Sequence, residues 1–355
     1  MKKALWIFPV ISFCLLITSC SKTPVTPTQT PQQTDTAYKA PVVSSTFAKG
    51  ADISWVTQFE ASGVKFYNSS GQQQDLFALI KSQGFNSIRL RAWVNPADGW
   101  CNTADVVAKA IRAKNAGMKI MIDFHYSDVW ADPGDQNKPV AWVPLDFPTL
   151  LSTMHNYTVH VMDTLQANGI TPDWVQIGNE TDNGMLWQDG NATTSMANFA
   201  ALIENGYTAV KSVSSTTKVI VHLSSGYSNS LFEWMFDGLK ENGAHWDIIG
   251  MSLYPAYSPT PSDWQTVNNE CLANINALVA RYSTPVMVVE VGMPASPALT
   301  ARDFLTDIIT KVNSVSGGGG LGVFYWEPEA YTNGYSLGAF DSTGKPTEAL
   351  EAFGN

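Results

Sequence analysis

Two glutamates close two apolar runs, and each carries a charge that needs an explanation. In Trp174-Val-Gln-Ile-Gly-Asn-Glu180 an apolar stretch delivers an Asn-Glu pair. In Pro285-Val-Met-Val-Val-Glu-Val-Gly-Met-Pro294 the surroundings of Glu290 are so apolar that an ionised, unpaired carboxylate buried there would be costly. One carboxylic acid that protonates a leaving oxygen, and one carboxylate that attacks carbon or activates water, together can break a glycosidic bond. The plainer reading of Glu290 is an interior ion pair with Arg89 or Arg91. These two arginines are two residues apart and share one strand face. A nucleophilic carboxylate also needs an arginine nearby to stay ionised. Only one of the two need reach it, and Arg89 is the expected one.

Carboxylates so far apart in the chain need a scaffold that brings strand ends together. Short β-branched or apolar runs alternate with amphipathic stretches, which predicts parallel strands joined by crossover helices. The runs are Ala51-Ser54, Ser87-Trp93, Lys119-His125, Trp174-Asn179, Val219-Leu223, Ile248-Leu253, Val286-Val291 and Gly322-Trp326. Legible helices include Asp105-Ala116, with Gly117 as its C-cap, Ser195-Ser212 and Asn268-Tyr282. Such a series predicts the α/β class and a single (β/α)8 TIM barrel, not an open doubly wound sheet. GADISW at the first strand has no GxGxxG spacing, which removes the main support for a nucleotide site. Barrel chemistry gathers at the C-terminal strand ends. Polar residues close most of the runs there: Asp52, Arg89, Asp123, His125, Asn179, Glu180, His222, Tyr254, Glu290, Trp326 and Glu327.

With 355 residues, 45% hydrophobic and 15% charged, the chain can bury a large core. Its net charge of −10 removes the electrostatic attraction that drives nucleic-acid binding. Twelve Trp and twelve Tyr are many; some pack the core, and others offer flat faces for sugar rings. Lys2 and Lys3, an apolar run from Ala4 to Ile17 and Ile17-Thr-Ser-Cys20 read as an export signal over residues 1–19 ending at a bacterial lipobox. Cys20 would be lipidated. Residues 20–45 form a Thr/Pro-rich tether, and 46–355 the catalytic domain. The expected location is the bacterial cell envelope, with the lipid anchor in the outer membrane, facing the cell surface or the periplasm. No CxxC or His-Cys cluster supports zinc.

Five segments carry a family resemblance: Gly50-Ala-Asp-Ile-Ser54, Ser87-Ile-Arg-Leu-Arg-Ala-Trp-Val-Asn-Pro96, Ile122-Asp-Phe-His-Tyr-Ser-Asp-Val-Trp-Ala-Asp-Pro-Gly134, Gln176-Ile-Gly-Asn-Glu180 and Val288-Val-Glu-Val-Gly292. The chain resembles glycoside hydrolase family 53, the endo-β-1,4-galactanases, within the clan of retaining (β/α)8 glycosidases. The resemblance implies cleavage of β-1,4-galactan, or of type I arabinogalactan in pectin side chains. It makes Glu180 the proton donor and base, Glu290 the nucleophile, and Asn179 a partner of the sugar's 2-hydroxyl. Asp52, Arg89, Trp93, His125, Asp132, Tyr254 and Trp326 would line the substrate groove. Trp93 and Trp326 also read as mouth packing, His125 as an interior histidine, and Asp132 as a turn former beside Pro133-Gly134. Tyr257 stands where the family pattern leads one to expect a tryptophan. No Asp-rich loop is found between Gly292 and Leu321 or in Pro328-Asp341, so calcium is not favoured and no cofactor is expected. Rival readings are a mannanase, xylanase or cellulase of the same clan, and a surface glycan-binding lipoprotein without turnover. The retaining reaction predicts carboxylates about 5–5.5 Å apart.

Overall fold

The computed structural model describes residues 38–260 and 263–354. The expected signal segment, Cys20 and the tether up to residue 37 lie outside the described residues. The last part of the expected tether lies against the domain: the Tyr38 hydroxyl bonds to Thr306, and the Ser44 amide donates to Asn313.

Among the described residues, eight parallel strands close into a barrel. They are β1 (Ala48–Asp52), β2 (Ser87–Ala92), β3 (Lys119–Phe124), β4 (Trp174–Ile177), β5 (Lys218–Leu223), β6 (Ile248–Leu253), β7 (Val286–Val291) and β8 (Gly320–Trp326). Neighbours in sequence are neighbours in space, and β8 closes on β1 with Ala48 opposite Gly322. The crossovers are α1 (Val56–Ala61), α2 (Leu76–Ser82), α3 (Thr103–Asn115), α4 (Phe147–Ala167), α5 (Met196–Val213), α6 (Asn229–Glu241), α7 (Trp264–Tyr282) and α8 (Ala298–Asn313). Two short helices share the first crossover, and a 3-10 segment, Glu348–Phe353, covers the barrel after β8. Local chemistry sets the boundaries. Asn102 caps α3 by accepting from the Asp105 amide, and Gly117 turns the chain away at φ +68°.

Inward positions recur every second residue along a barrel strand. The lowest inward layer is apolar: Ala48, Met121, Trp174, Ile220, Ile248 and Phe324 pack together. Above it the alternation brings in Arg89, Asp123, Gln176 and His222, and then Asp52, Arg91, His125, Ser252 and Trp326. The apolar plug thus supports a polar floor. Glu290 breaks the alternation. Met251 pairs with Val288 but Ser252 pairs with Glu290, so Val289 is an extra residue, a β-bulge in β7. The pairing with β8 slips at the same place. Val289 packs in the lower cluster, and Glu290 still faces the barrel mouth.

β4 stops at Ile177, two residues before the end expected from sequence. Gly178 at φ +84° turns the chain, and a Cβ there would lie 2.5 Å from the Thr181 side chain. The turn lifts Asn179 and Glu180 out of the ladder, and Glu180 itself takes φ +44°. A glutamate seldom adopts that left-handed backbone, so surrounding structure must hold it.

Candidate active site

A cavity of about 440 Å³ opens at the C-terminal ends of the strands. The loop after β3 contributes His125, Trp130 and Asp132, and the β4 turn contributes Asn179 and Glu180. Ser224, Ser225 and Tyr227 come from the loop after β5, and Tyr254 and Tyr257 from that after β6. Glu290, Trp326 and Tyr335 complete the wall. Both candidate carboxylates therefore face one space.

Beneath them lies a charged lattice centred on Arg89. Its guanidinium reaches Asp52 at 2.6 Å, Glu290 at 2.8 Å and Asp123 at 2.9 Å. Its Nε donates to Gln176 Oε1 at 2.7 Å, and Nη2 donates to Asn179 Oδ1 at 2.9 Å. The ion pair and the cavity-facing role of Glu290 are thus one arrangement. Arg91 turns instead to Glu327 at 3.2 Å and lies under the indole of Trp130, 4.1 Å from the ring centroid, with Trp93 and Trp55 also around it. Glu327 is fully buried beside Glu329; burial and then the charge of Asp52 push the Glu327 carboxyl above the usual range, and burial and then the charge of Glu327 push Glu329 up.

The electrostatics separate the two candidate glutamates. Burial and the charge of Glu290 push Glu180 well above the ordinary carboxyl value, opposed by the Ser252 hydroxyl and by Arg89. Burial also pushes Glu290 up, but the adjacent Arg89 guanidinium opposes it, as does the Tyr254 hydroxyl, which donates to Glu290 Oε2 at 2.8 Å. Glu180 is accordingly the better proton holder, and Glu290 the better anion.

Not every expected groove residue reaches the cavity. Asp52, Arg89 and Trp93 are buried below its floor, because the charges of the first two satisfy each other there and the Trp93 indole donates to His125 Nδ1. His125 lines the wall while also donating from Nε2 to Asp123. Asp132 fills both of its candidate places: it lines the cavity, and its Oδ1 accepts from the Gly134 amide in the turn. Asn179 lines the cavity with both ends of its amide engaged, by Arg89 and by the Ala131 carbonyl. Tyr254, Trp326 and Tyr257 are on the wall, Tyr257 being 71% exposed. Cys101 and Cys271 are buried free thiols.

Sequence reasoning missed Trp130, Tyr335, Ser224 and Tyr227. Trp130 lay within the DVWADPG motif, where its aromatic ring was the available signal. Tyr335 follows an Asn-Gly turn after β8, and its buried hydroxyl oxygen has no hydrogen-bond partner among the described residues. Gly292 makes room for it: a Cβ there would lie 3.0 Å from that hydroxyl and 2.8 Å from the Tyr254 ring.

The family model for glycosyl hydrolase family 53 matches residues 48–353. A probable arabinogalactan endo-β-1,4-galactanase A of Neosartorya fischeri is 36% identical over 313 residues, covering 82% of this chain and 86% of its own. An arabinogalactan endo-β-1,4-galactanase of Thermothelomyces thermophilus is 35% identical over 335 residues, covering 86% and 98%. A solved fungal β-1,4-galactanase superposes with TM-score 0.80 at 32% identity, over 86% of this chain and 98% of that one. The family 53 catalytic domain of Ignisphaera aggregans gives TM-score 0.81 at 29% identity, over 89% and 98%.

Proposed function

The chain belongs to glycosyl hydrolase family 53, and on that premise we propose that its cavity takes β-1,4-linked galactan and cleaves it by double displacement between Glu180 and Glu290. It is a glycosidase, and its galactanase relatives support galactan as the polymer. The observation that carries the assignment of roles is the unequal pair: Arg89 and Tyr254 donate to Glu290, while burial beside Glu290 favours a proton on Glu180.

In the first step a Glu290 oxygen attacks the anomeric carbon, and the glycosidic C–O bond breaks as Glu180 gives its proton to the departing oxygen. In the second, Glu180 takes a proton from water as the water oxygen attacks the same carbon, and the Glu290 ester bond breaks. Two inversions retain the configuration. Trp130 and Trp326 offer apolar faces to the sugar rings, Trp130 with a buried guanidinium behind it. The reaction uses only these side chains and water.

The proposal extends to the remainder of the chain: Cys20 is lipidated after removal of residues 1–19, and the enzyme is held at the cell envelope, where pectin side chains would reach it. Labelling with a radioactive or clickable fatty acid tests this; retention of label by Cys20→Ala contradicts it.

For the activity, the purified domain is assayed on β-1,4-galactan, mannan, xylan and cellulose. The expected result is release of reducing ends from galactan, abolished in Glu290→Ala. A preference for another polymer, or an active Glu290→Ala protein, overturns the proposal.

A further inference from the structure

We infer that Gln136 is a positioning residue for the general acid: its side-chain amide grips the two backbone carbonyls on either side of the Glu180 Cα and so holds the turn that presents this carboxyl to the cavity. The inference rests on the roles of Glu180 and Glu290 proposed above.

Glu180 stands at φ +44°, a backbone conformation that a glutamate keeps only where neighbouring groups hold it. Gln136 comes from the loop after β3 and is 2% exposed. Its Nε2 donates to the Asn179 carbonyl at 2.8 Å, to the Asp132 carbonyl at 3.0 Å and to the Glu180 carbonyl at 3.3 Å. The longest of these bonds is shared, since the group carries two protons. The φ and ψ of a residue are the rotations between the peptide planes before and after its Cα. For Glu180 those planes carry the Asn179 and Glu180 oxygens, and both oxygens converge on one NH2 group. An extended Glu180 would send these two carbonyls in opposite directions, beyond the reach of a single donor.

Gln136 is itself held. Asp132 and Asp135 exchange backbone hydrogen bonds at 2.9 and 3.1 Å, and Asp132 Oδ1 accepts from the Gly134 amide at 2.8 Å, so a tight turn delivers Gln136 inward. On the other side, the Gln136 carbonyl accepts from the Trp187 amide of the loop after β4 at 2.8 Å. The donor end of the side chain sets its orientation. Turning the amide over would bring Oε1 against three carbonyl oxygens, and as it stands Oε1 accepts from none of the described residues.

The effect falls on the acid more than on its neighbours. Asn179 keeps anchors of its own, because Oδ1 accepts from Arg89 at 2.9 Å and Nδ2 donates to the Ala131 carbonyl at 2.8 Å. Glu290 is held from elsewhere, by Arg89 and Tyr254. Without the Gln136 amide, the backbone of Glu180 retains a 3.3 Å contact of its N–H with His222 Nδ1 and the bond from the Asp182 amide to its carbonyl at 2.9 Å. A carboxyl displaced from the glycosidic oxygen delivers its proton poorly, whereas attack by Glu290 does not depend on that position.

The first test compares wild type, Gln136→Met and Glu180→Ala on galactan and on a dinitrophenyl galactobioside, whose leaving group departs without a proton. Methionine keeps the length of the side chain and cannot donate. For Gln136→Met, kcat/KM on galactan should fall about 10- to 100-fold, with KM close to that of wild type, and on the dinitrophenyl substrate it should fall far less. Glu180→Ala, which lacks the acid altogether, should show the same contrast more strongly. Equal losses on the two substrates, or an unchanged kcat/KM on galactan, refute this inference alone. Wild type inactive on galactan, or a Glu180→Ala protein fully active on it, overturns the underlying reading and this inference with it.

The second test needs no variant. In nitrogen-15 NMR of the wild-type protein transferred to deuterium oxide, the side-chain N–H protons of Gln136 should persist long after those of the exposed Gln73 and Gln74. Exchange as fast as at those two overturns the clasp. Should Gln136→Met fail to fold, this measurement decides.

Discussion

At the scale of single residues, the two glutamates owe their different behaviour to what touches them. Tyr254 donates to Glu290 at 2.8 Å and holds its carboxyl down against the effect of burial. In Tyr254→Phe the pKa of Glu290 rises. Attack requires the carboxylate, so rate is lost as pH falls through that pKa, and the acid limb of kcat/KM moves to higher pH. A fall of about tenfold at mildly acidic pH is expected, from the loss of one hydrogen bond to a charged group, and an unmoved acid limb contradicts this account of Glu290. Much of this chemistry was legible in the chain, because Asn179-Glu180 and Glu290 stand out as polar closures of apolar runs. The buried lattice was less so. Gln176, Asp123 and Arg89 alternate with core residues and could be named as inward-facing, but which acid pairs with which arginine depends on angles around the barrel that no local pattern encodes. The allotment of Arg91 to Glu327 is of that kind, whereas Arg89 was the arginine expected at Glu290 and is the one found there.

At the scale of elements, the eight strands were readable because each is a short apolar run bounded by turns, and their ends shifted by only a few residues. Two departures have physical causes. β4 ends early because Gly178 takes a positive φ, and the continuous apolar run of β7 concealed a bulge, since strict alternation gives no sign when every neighbour is Val or Met. That bulge is what turns Glu290 to the cavity. Close packing within the plug makes the strands intolerant of added volume: a Cβ on Gly50 would lie 2.0 Å from the Phe324 ring. Gly50→Ala should therefore destabilise the domain by about 1–3 kcal/mol through overpacking. Denaturant melts measure this, and an unchanged midpoint would show that the plug can rearrange more freely than its packing indicates.

At the scale of the whole molecule, the barrel carries more buried acid than its site requires. Glu327 and Glu329 lie fully buried side by side, with raised pKa values caused first by burial and then by neighbouring negative charge. An unfolded glutamate releases its proton near pH ~4.3, whereas these two hold theirs to higher pH when folded. The folded state binds the extra proton, so stability declines as pH rises from the unfolded value toward the raised one, at up to about 1.4 kcal/mol per pH unit for each proton. Glu329→Gln removes one such group. Its stability should fall less than that of wild type between pH 5 and pH 8, and equal declines would contradict the burial of a proton there. The central claim concerns the reaction itself, and proton NMR of the first sugar released from β-1,4-galactan tests it most directly. Double displacement through Glu290 predicts that the new reducing end appears first as the β-anomer and only later mutarotates; initial release of the α-anomer would contradict it.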